Sequence, residues 1–202
     1  MANYKTEQEE FWAGTFGTEY ILRNQGDDLL ASNLNFFSKT LSQARGIENC
    51  IEFGANIGMN LRSLKLLYPR LEMHAIEINK EAVKELTSVI PEELIYNQSL
   101  LDFDADRVWD LVLIKGVLIH INPHVLSRVY EKLYHACGRY LLVLSITIQS
   151  QLRFHIEGIL TDSSREILLV KLWLNIQNYN LLIMGLFTDQ IPIFLRMILL
   201  GS

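Results

Sequence analysis

Cysteine, basic excess and long apolar runs are what this 202-residue chain has little of. No apolar run reaches the ~20 residues that a helix needs to cross a bilayer, so no membrane span is expected. Lys and Arg number 18 against 23 Asp and Glu, a formal net charge of −5 with an isoelectric point near 5.5. Such a balance gives no electrostatic footprint for a nucleic-acid backbone, and nucleic acid is not among the expected partners. The two cysteines, Cys50 and Cys137, are too few for a disulfide framework, and Cys50 reads as part of a buried strand. A reducing cytoplasm is the simplest compartment, and the polar, acidic start MANYKTEQEEFW does not read as a secretory signal.

Apolar residues make up 50% of the chain without any polar low-complexity segment, which suits one globular domain with a full core. Residues 6–23 read as a helix, a glycine-containing turn and a second helical piece. Residues 27–44 read as a further helix, because Leu29, Leu30, Leu34, Phe37 and Leu41 form a stripe near period 3.6. From there short β runs alternate with helical runs: ENCIEF, NLRSLKLLY, EMHAIEI, KEAVKELTSVI, ELIYNQSL, WDLVLIKG, HVLSRVYEKLYHA and RYLLVL. This alternation predicts an α/β fold, doubly wound, with a mostly parallel sheet behind a helical N-terminal preface. Ligands of such sheets sit beyond the carboxyl ends of the strands, so Gly54, Glu77, Asp102 and Lys115 are expected to line one crevice.

The segment CIEFGANIGMN, residues 50–60, ends its strand with Glu52, Gly54, Asn56 and Gly58 on alternate positions, and a helical run follows. Glycines there let backbone N–H groups approach a ligand, although two glycines can also serve only a tight turn. A dinucleotide fingerprint needs a third glycine after a two-residue gap, where this chain has Asn60 and Leu61, so pyrophosphate recognition is less supported. Glu77, in MHAIEIN, closes the next strand, where a carboxylate can accept both hydroxyls of a ribose. An acid at that place occurs in nicotinamide enzymes too, which keeps an NAD-dependent oxidoreductase as an alternative.

The spacing of Glu52, Gly54, Asn56 and Gly58 resembles motif I of class I S-adenosylmethionine methyltransferases, with the middle glycine replaced by Asn56. The strings EFWAGTFGTEYILRN, FGANIGMNLRSLKLLYP and WDLVLIKGVLIHINP followed by LSRVYEKLYHACGRYLLV are similar, over residues 6–143, to the pseudaminic acid biosynthesis-associated methylase family. The resemblance implies a Rossmann-like methyltransferase of bacterial surface-glycan biosynthesis, with S-adenosyl-L-methionine as cofactor and a sugar or nucleotide-sugar as acceptor. It implies cofactor contacts from Glu52, Gly54, Asn56, Gly58, Glu77, Ile78, Asp102 and Lys115. It also makes Trp12, Tyr20 and Arg23 contacts of an N-terminal lid, Arg23 toward the methionine carboxylate. The implied division is a helical lid over 1–45, a cofactor-binding core over 46–143 and an atypical tail over 144–202.

Each residue also has a plainer reading. Trp12, Phe16, Tyr20 and Arg23 lie near helical spacing, which equally describes packing against the domain. Asp102 is followed by Asp104 and Asp106, the pattern of a solvated acidic loop. His120 and His124 are four apart, yet Pro123 interrupts the helix that metal ligation at that spacing would use, so no metal site is expected. His120 suits either a general base for an acceptor hydroxyl or a structural histidine, and Lys115 either an anionic acceptor or solvent.

The tail differs from everything before it. Residues 144–202 contain no alanine and a single lysine, and Asp, Glu, Lys and Arg number eight in these 59 residues against 33 in the first 143. The resembled family continues with strings such as YRGH, DRLFKRDFAGE and DYGFVY, which this chain lacks. Back-translated with permitted codons and read one base earlier, residues 159–173 yield TDRLFKRDFAGEIM. The same shift recovers YRGH over 155–159 and IDYGFVYRSDPNFP from Leu182 onward. A one-base frameshift near residues 142–145 is therefore expected, with the C-terminal strands missing or aberrant and turnover impaired. Oligomeric state is not encoded in any motif here.

Overall fold

The structure is a computed structural model that describes residues 4–144, 170–175 and 178–183. Two short helices, α1 (Glu7–Ala13) and α2 (Thr15–Ile21), and a longer α3 (Asp27–Thr40) precede the first strand. Strands β1 (Asn49–Phe53), β2 (Glu72–Ile76), β3 (Ile95–Tyr96), β4 (Trp109–Lys115) and β5 (Cys137–Leu144) form one sheet in the order β3-β2-β1-β4-β5. The pairings β1 with β2, β2 with β3 and β4 with β5 are parallel. Helices α4 (Met59–Leu67), α5 (Lys80–Leu86) and α6 (Leu126–Ala136) lie in the connections between parallel neighbours or after β4, which is the α/β alternation read from the sequence.

The chain consists of two compact units, 1–104 and 105–202. In the first, Ile51, Phe53, Leu61, Leu64, Ala75, Ile76 and Leu86 are buried. Strand β1 is buried on both faces because it lies inside the sheet, and its register to β2 runs from Asn49 with Glu72 to Phe53 with Ile76. In the second unit, Leu111, Leu113, Val129, Leu133 and Leu142 are buried around β4, α6 and β5.

Three local features depart from the sequence reading. The strand expected over ELIYNQSL contracts to Ile95–Tyr96, because a 3₁₀ turn over Glu92–Leu94 precedes it and Asn97 turns its amide onto the carbonyls of Glu77 and Ile78. The helix expected to reach residue 44 ends at Thr40, where the N–H of Leu41 still bonds Phe37 O. His120 and His124 stand on separate 3₁₀ turns, Leu118–His120 and Pro123–Val125, the second capped by the Asn122 side chain.

Of the tail, only the antiparallel pair β6 (Val170–Asn175) and β7 (Asn178–Ile183) falls within the described residues. The recovered strings over 155–159 and most of 159–173 lie outside them. No helix among the described residues is long and apolar enough to cross a membrane.

Candidate functional site

The site in the first unit begins where β1 ends. Gly54, Asn56 and Gly58 all have positive φ, at 77°, 49° and 79°, so the chain bends sharply between β1 and α4 in conformations that side chains rarely adopt. The N–H groups of Gly54 and Ala55 both bond Ile76 O, at 2.9 and 3.1 Å, which fastens the loop to the end of β2. Asn56 is the non-glycine residue in this left-handed set, as a short amide side chain permits. Gly58 has a separate reason to be glycine: a Cβ there would lie 2.6 Å from Leu86 Cδ1 and 3.2 Å from Val89 Cγ2. Its requirement comes from α4 packing on the end of α5 as well as from the turn.

Two carboxylates flank this loop. Glu52 is fully buried in β1 and accepts a hydrogen bond of 2.6 Å from Asn60 Nδ2, one residue inside α4. Glu77, also buried, follows β2. Its Oε2 accepts from the Asn56 N–H at 2.7 Å and its Oε1 from the Asn79 N–H at 2.8 Å. Burial raises the Glu77 carboxyl above its ordinary value, and the backbone donors of Asn79, Asn56 and Ile78 offset that only in part. Asn56 Oδ1 and Asn60 Oδ1 are buried acceptors without a hydrogen-bond partner among the described residues. Beside two carboxylates they form an acceptor-rich wall suited to a cation or a polyhydroxyl ligand.

The loop, Glu52, Glu77 and Ile78 are thus brought together as the spacing suggested. Asp102 is half-exposed, and its carboxylate pairs with Lys5. Trp12 and Tyr20 are partly buried and pack edge to face on one another with centroids 5.1 Å apart, with Phe16 completing the stack. Arg23 is exposed just past the end of α2.

In the second unit Lys115 ends β4, followed by Gly116 at φ 74°, whose N–H bonds Leu144 O. His120 is half-buried on its turn, and burial pushes its pKa down, so the imidazole is neutral at physiological pH.

Residues absent from the sequence reading complete the site. Asn79 caps α5 and reaches the N-terminal helices, while Glu9 of α1 is buried and accepts from Ser99 Oγ. Asn79 before KEAVKEL and Glu9 in the capping-box pattern TEQE carry recognisable N-cap signals, whereas Asn60 and Ser99 have no local signature.

No family model matches this chain, and no curated protein matches it. Solved structures do. A sugar N-methyltransferase, KedS8 from Streptoalloteichus sp ATCC 53650, is similar with a TM-score of 0.50 at 16% identity, covering 68% of this chain and 53% of that one. A SAM-dependent methyltransferase from Leishmania major gives 0.55 at 12% identity, covering 82% and 60%. The plantazolicin methyltransferase BpumL, in complex with SAH, gives 0.53 at 13% identity, covering 82% and 57%. The chain therefore spans between half and two thirds of the length of these structures. With its five-stranded parallel sheet and glycine loop after β1, the chain has the Rossmann-like fold of SAM-dependent methyltransferases.

Proposed function

We propose that this chain binds S-adenosyl-L-methionine in its first unit and is built as a methyltransferase for a small, sugar-related acceptor. The observation that carries this reading is the carboxylate of Glu77 held against the Asn56 N–H, at the carboxyl ends of two adjacent parallel strands. The donor set fits the cofactor. Glu77 retains lone pairs for the ribose hydroxyls after its two backbone bonds, and the buried, unpartnered Asn56 Oδ1 suits the methionine ammonium. Glu52, fixed by Asn60, adds negative charge on the same side of the loop. Adenosylmethionine has no phosphate, in keeping with Asn60 and Leu61 where a dinucleotide loop has glycine.

When bound, the cofactor supplies an electrophilic methyl group on its sulfonium. The residues of the chain then align and desolvate rather than perform covalent chemistry. Trp12 and Tyr20 shield the site from water as a lid, Ile78 lines it, and Arg23 meets the methionine carboxylate. Asp102, paired with Lys5, completes the cofactor wall within the first unit. His120, neutral at physiological pH, takes the proton of an acceptor hydroxyl, and Lys115 orients an anionic acceptor. The pseudaminic acid-associated resemblance and the sugar N-methyltransferase among the neighbours support a sugar or nucleotide-sugar as that acceptor.

Calorimetry of the full chain with S-adenosylhomocysteine tests the reading. Binding that Glu77→Ala abolishes is the expected result. A folded wild type that ignores S-adenosylhomocysteine but binds NAD would replace the methyltransferase with an oxidoreductase.

A second reading, a cofactor-binding chain with impaired turnover, is favoured by the compositional break after Val143. A one-base frameshift accounts for that break, and the encoding DNA tests it directly. A gene whose neighbouring frame lacks the strings DRLFKRDFAGE and DYGFVY removes it.

A further inference from the structure

We propose that Asn79 is a positioning residue that joins the N-terminal helices to the Glu77 carboxylate, so that closing those helices and presenting Glu77 to its ligand are one coupled event. For the identity of the ligand this rests on the methyltransferase reading above.

Asn79 is 3% exposed and uses every polar group it has. Its backbone N–H donates to Glu77 Oε1 at 2.8 Å. Its Oδ1 accepts from the N–H groups of Glu81 and Ala82 at 3.0 and 3.1 Å, which caps α5. The Nδ2 group then points the other way and donates to Trp12 O at 3.1 Å, Gly14 O at 3.2 Å and Thr18 Oγ1 at 3.2 Å. Because Oδ1 faces two N–H donors, the amide has only this orientation.

The receiving side is shaped for the same contact. Trp12 and Gly14 stand at the junction of α1 and α2, and Gly14 O, which opens α2 by accepting from the Thr18 N–H at 3.2 Å, takes the Asn79 amide as a second donor. Gly17 of α2 is buried, and a Cβ there would lie 1.9 Å from Trp12 O and 2.8 Å from Asn79 Nδ2. Glycine alone lets α2 come this near. Asp, Ser or Thr would cap α5 as well as Asn does, but none offers an NH₂ group to the opposite helices. An N-cap that is also a latch requires asparagine.

The test is Asn79→Asp in the full chain, because aspartate keeps the shape and the cap while losing the donors. Hydrogen exchange of ligand-free protein is expected to show amides 7–21 exchanging about tenfold faster with 80–86 still protected, and affinity for S-adenosylhomocysteine falling about tenfold. Gly17→Ala, which leaves both the cap and Glu77 intact, is expected to reproduce both effects from the opposite side. A merely structural cap predicts that Asn79→Asp leaves both readouts unchanged, and that result overturns the proposal. Loosened helices with unchanged affinity would overturn the coupling. If the wild type does not bind S-adenosylhomocysteine, the cofactor reading falls by itself. Unchanged exchange of 7–21 in the ligand-free variants then overturns the latch as well.

Discussion

Glu77 is kept at a cost to stability. Desolvation raises its carboxyl pKa more than the N–H donors of Asn79, Asn56 and Ile78 lower it, so the folded protein holds the proton more tightly than the unfolded chain. The contribution of Glu77 to stability is therefore full below its ordinary value of 4.5 and is lost as pH rises through the higher folded pKa. Unfolding in denaturant at several pH values should show the stability of the wild type relative to Glu77→Gln falling as pH rises above 4.5. A difference that grows over that range would contradict the burial argument. A carboxylate desolvated in this way beside the glycine loop is in keeping with the proposed cofactor site.

Gly58 and Gly26 separate two reasons for glycine. Both have positive φ, 79° and 111°, but a Cβ at Gly58 would strike Leu86 while Gly26 faces open space. Gly58→Ala should lower stability by about 2–4 kcal/mol, combining left-handed backbone strain and overpacking, whereas Gly26→Ala, at φ 111° and ψ 162°, should cost about 1–3 kcal/mol from the backbone alone. The midpoints of urea unfolding measure both, and a loss at Gly58 of under ~2 kcal/mol would show that Leu86 yields to the added methyl group.

At the scale of elements, α1 shows what holds a helix too short to persist alone. Its seven residues follow the N-cap Thr6, whose side chain accepts from the Glu9 N–H, while Glu9 Oε2 accepts from the N–H groups of Thr6 and Lys5 at 2.8 and 2.7 Å. The other Glu9 oxygen takes the Ser99 hydroxyl, so one buried carboxylate both starts the helix and anchors it. Glu9→Ala leaves the Lys5, Thr6 and Ser99 donors without their acceptor, and amides 7–13 should exchange about tenfold faster while those of α4 are unchanged. Unaltered protection of 7–13 would mean that the aromatic stack alone holds α1.

The same helices show where sequence stops informing. Periodicity and the alternation of apolar runs made β1, α4, β2, α5, β4 and α6 legible, since each is specified by neighbours within a few residues. The shortening of β3 was not legible, because it depends on Asn97 bonding Glu77 O, 20 residues away. The loop with Glu77 was readable from strand-end spacing. The ties from Asn79 to Thr18 and from Glu9 to Ser99 span 61 and 90 residues and follow only from the fold. The pairing of Asp102 with Lys5 was not legible either, because it depends on where the N-terminal segment runs.

Across the whole molecule, the proposed methyltransferase reading puts recognition and turnover on different stretches of chain. Glu52, Asn56, Glu77 and Asn79 all belong to the unit 1–104, whereas the compositional break begins after Val143. Under the proposed frameshift, restoring the reading frame would leave the first stretch untouched and replace the second. The present chain and a frame-restored version should therefore bind S-adenosylhomocysteine within about threefold of one another, a difference of under ~1 kcal/mol. Only the restored version should transfer a methyl group to a sugar-related acceptor, because orienting that acceptor requires walls beyond the cofactor loop. Calorimetry and a methyl-transfer assay run on both proteins check the two halves separately. Equal transfer rates would mean that the tail of the present chain suffices for catalysis. Loss of binding confined to the present chain would mean that residues after Val143 help hold the cofactor after all.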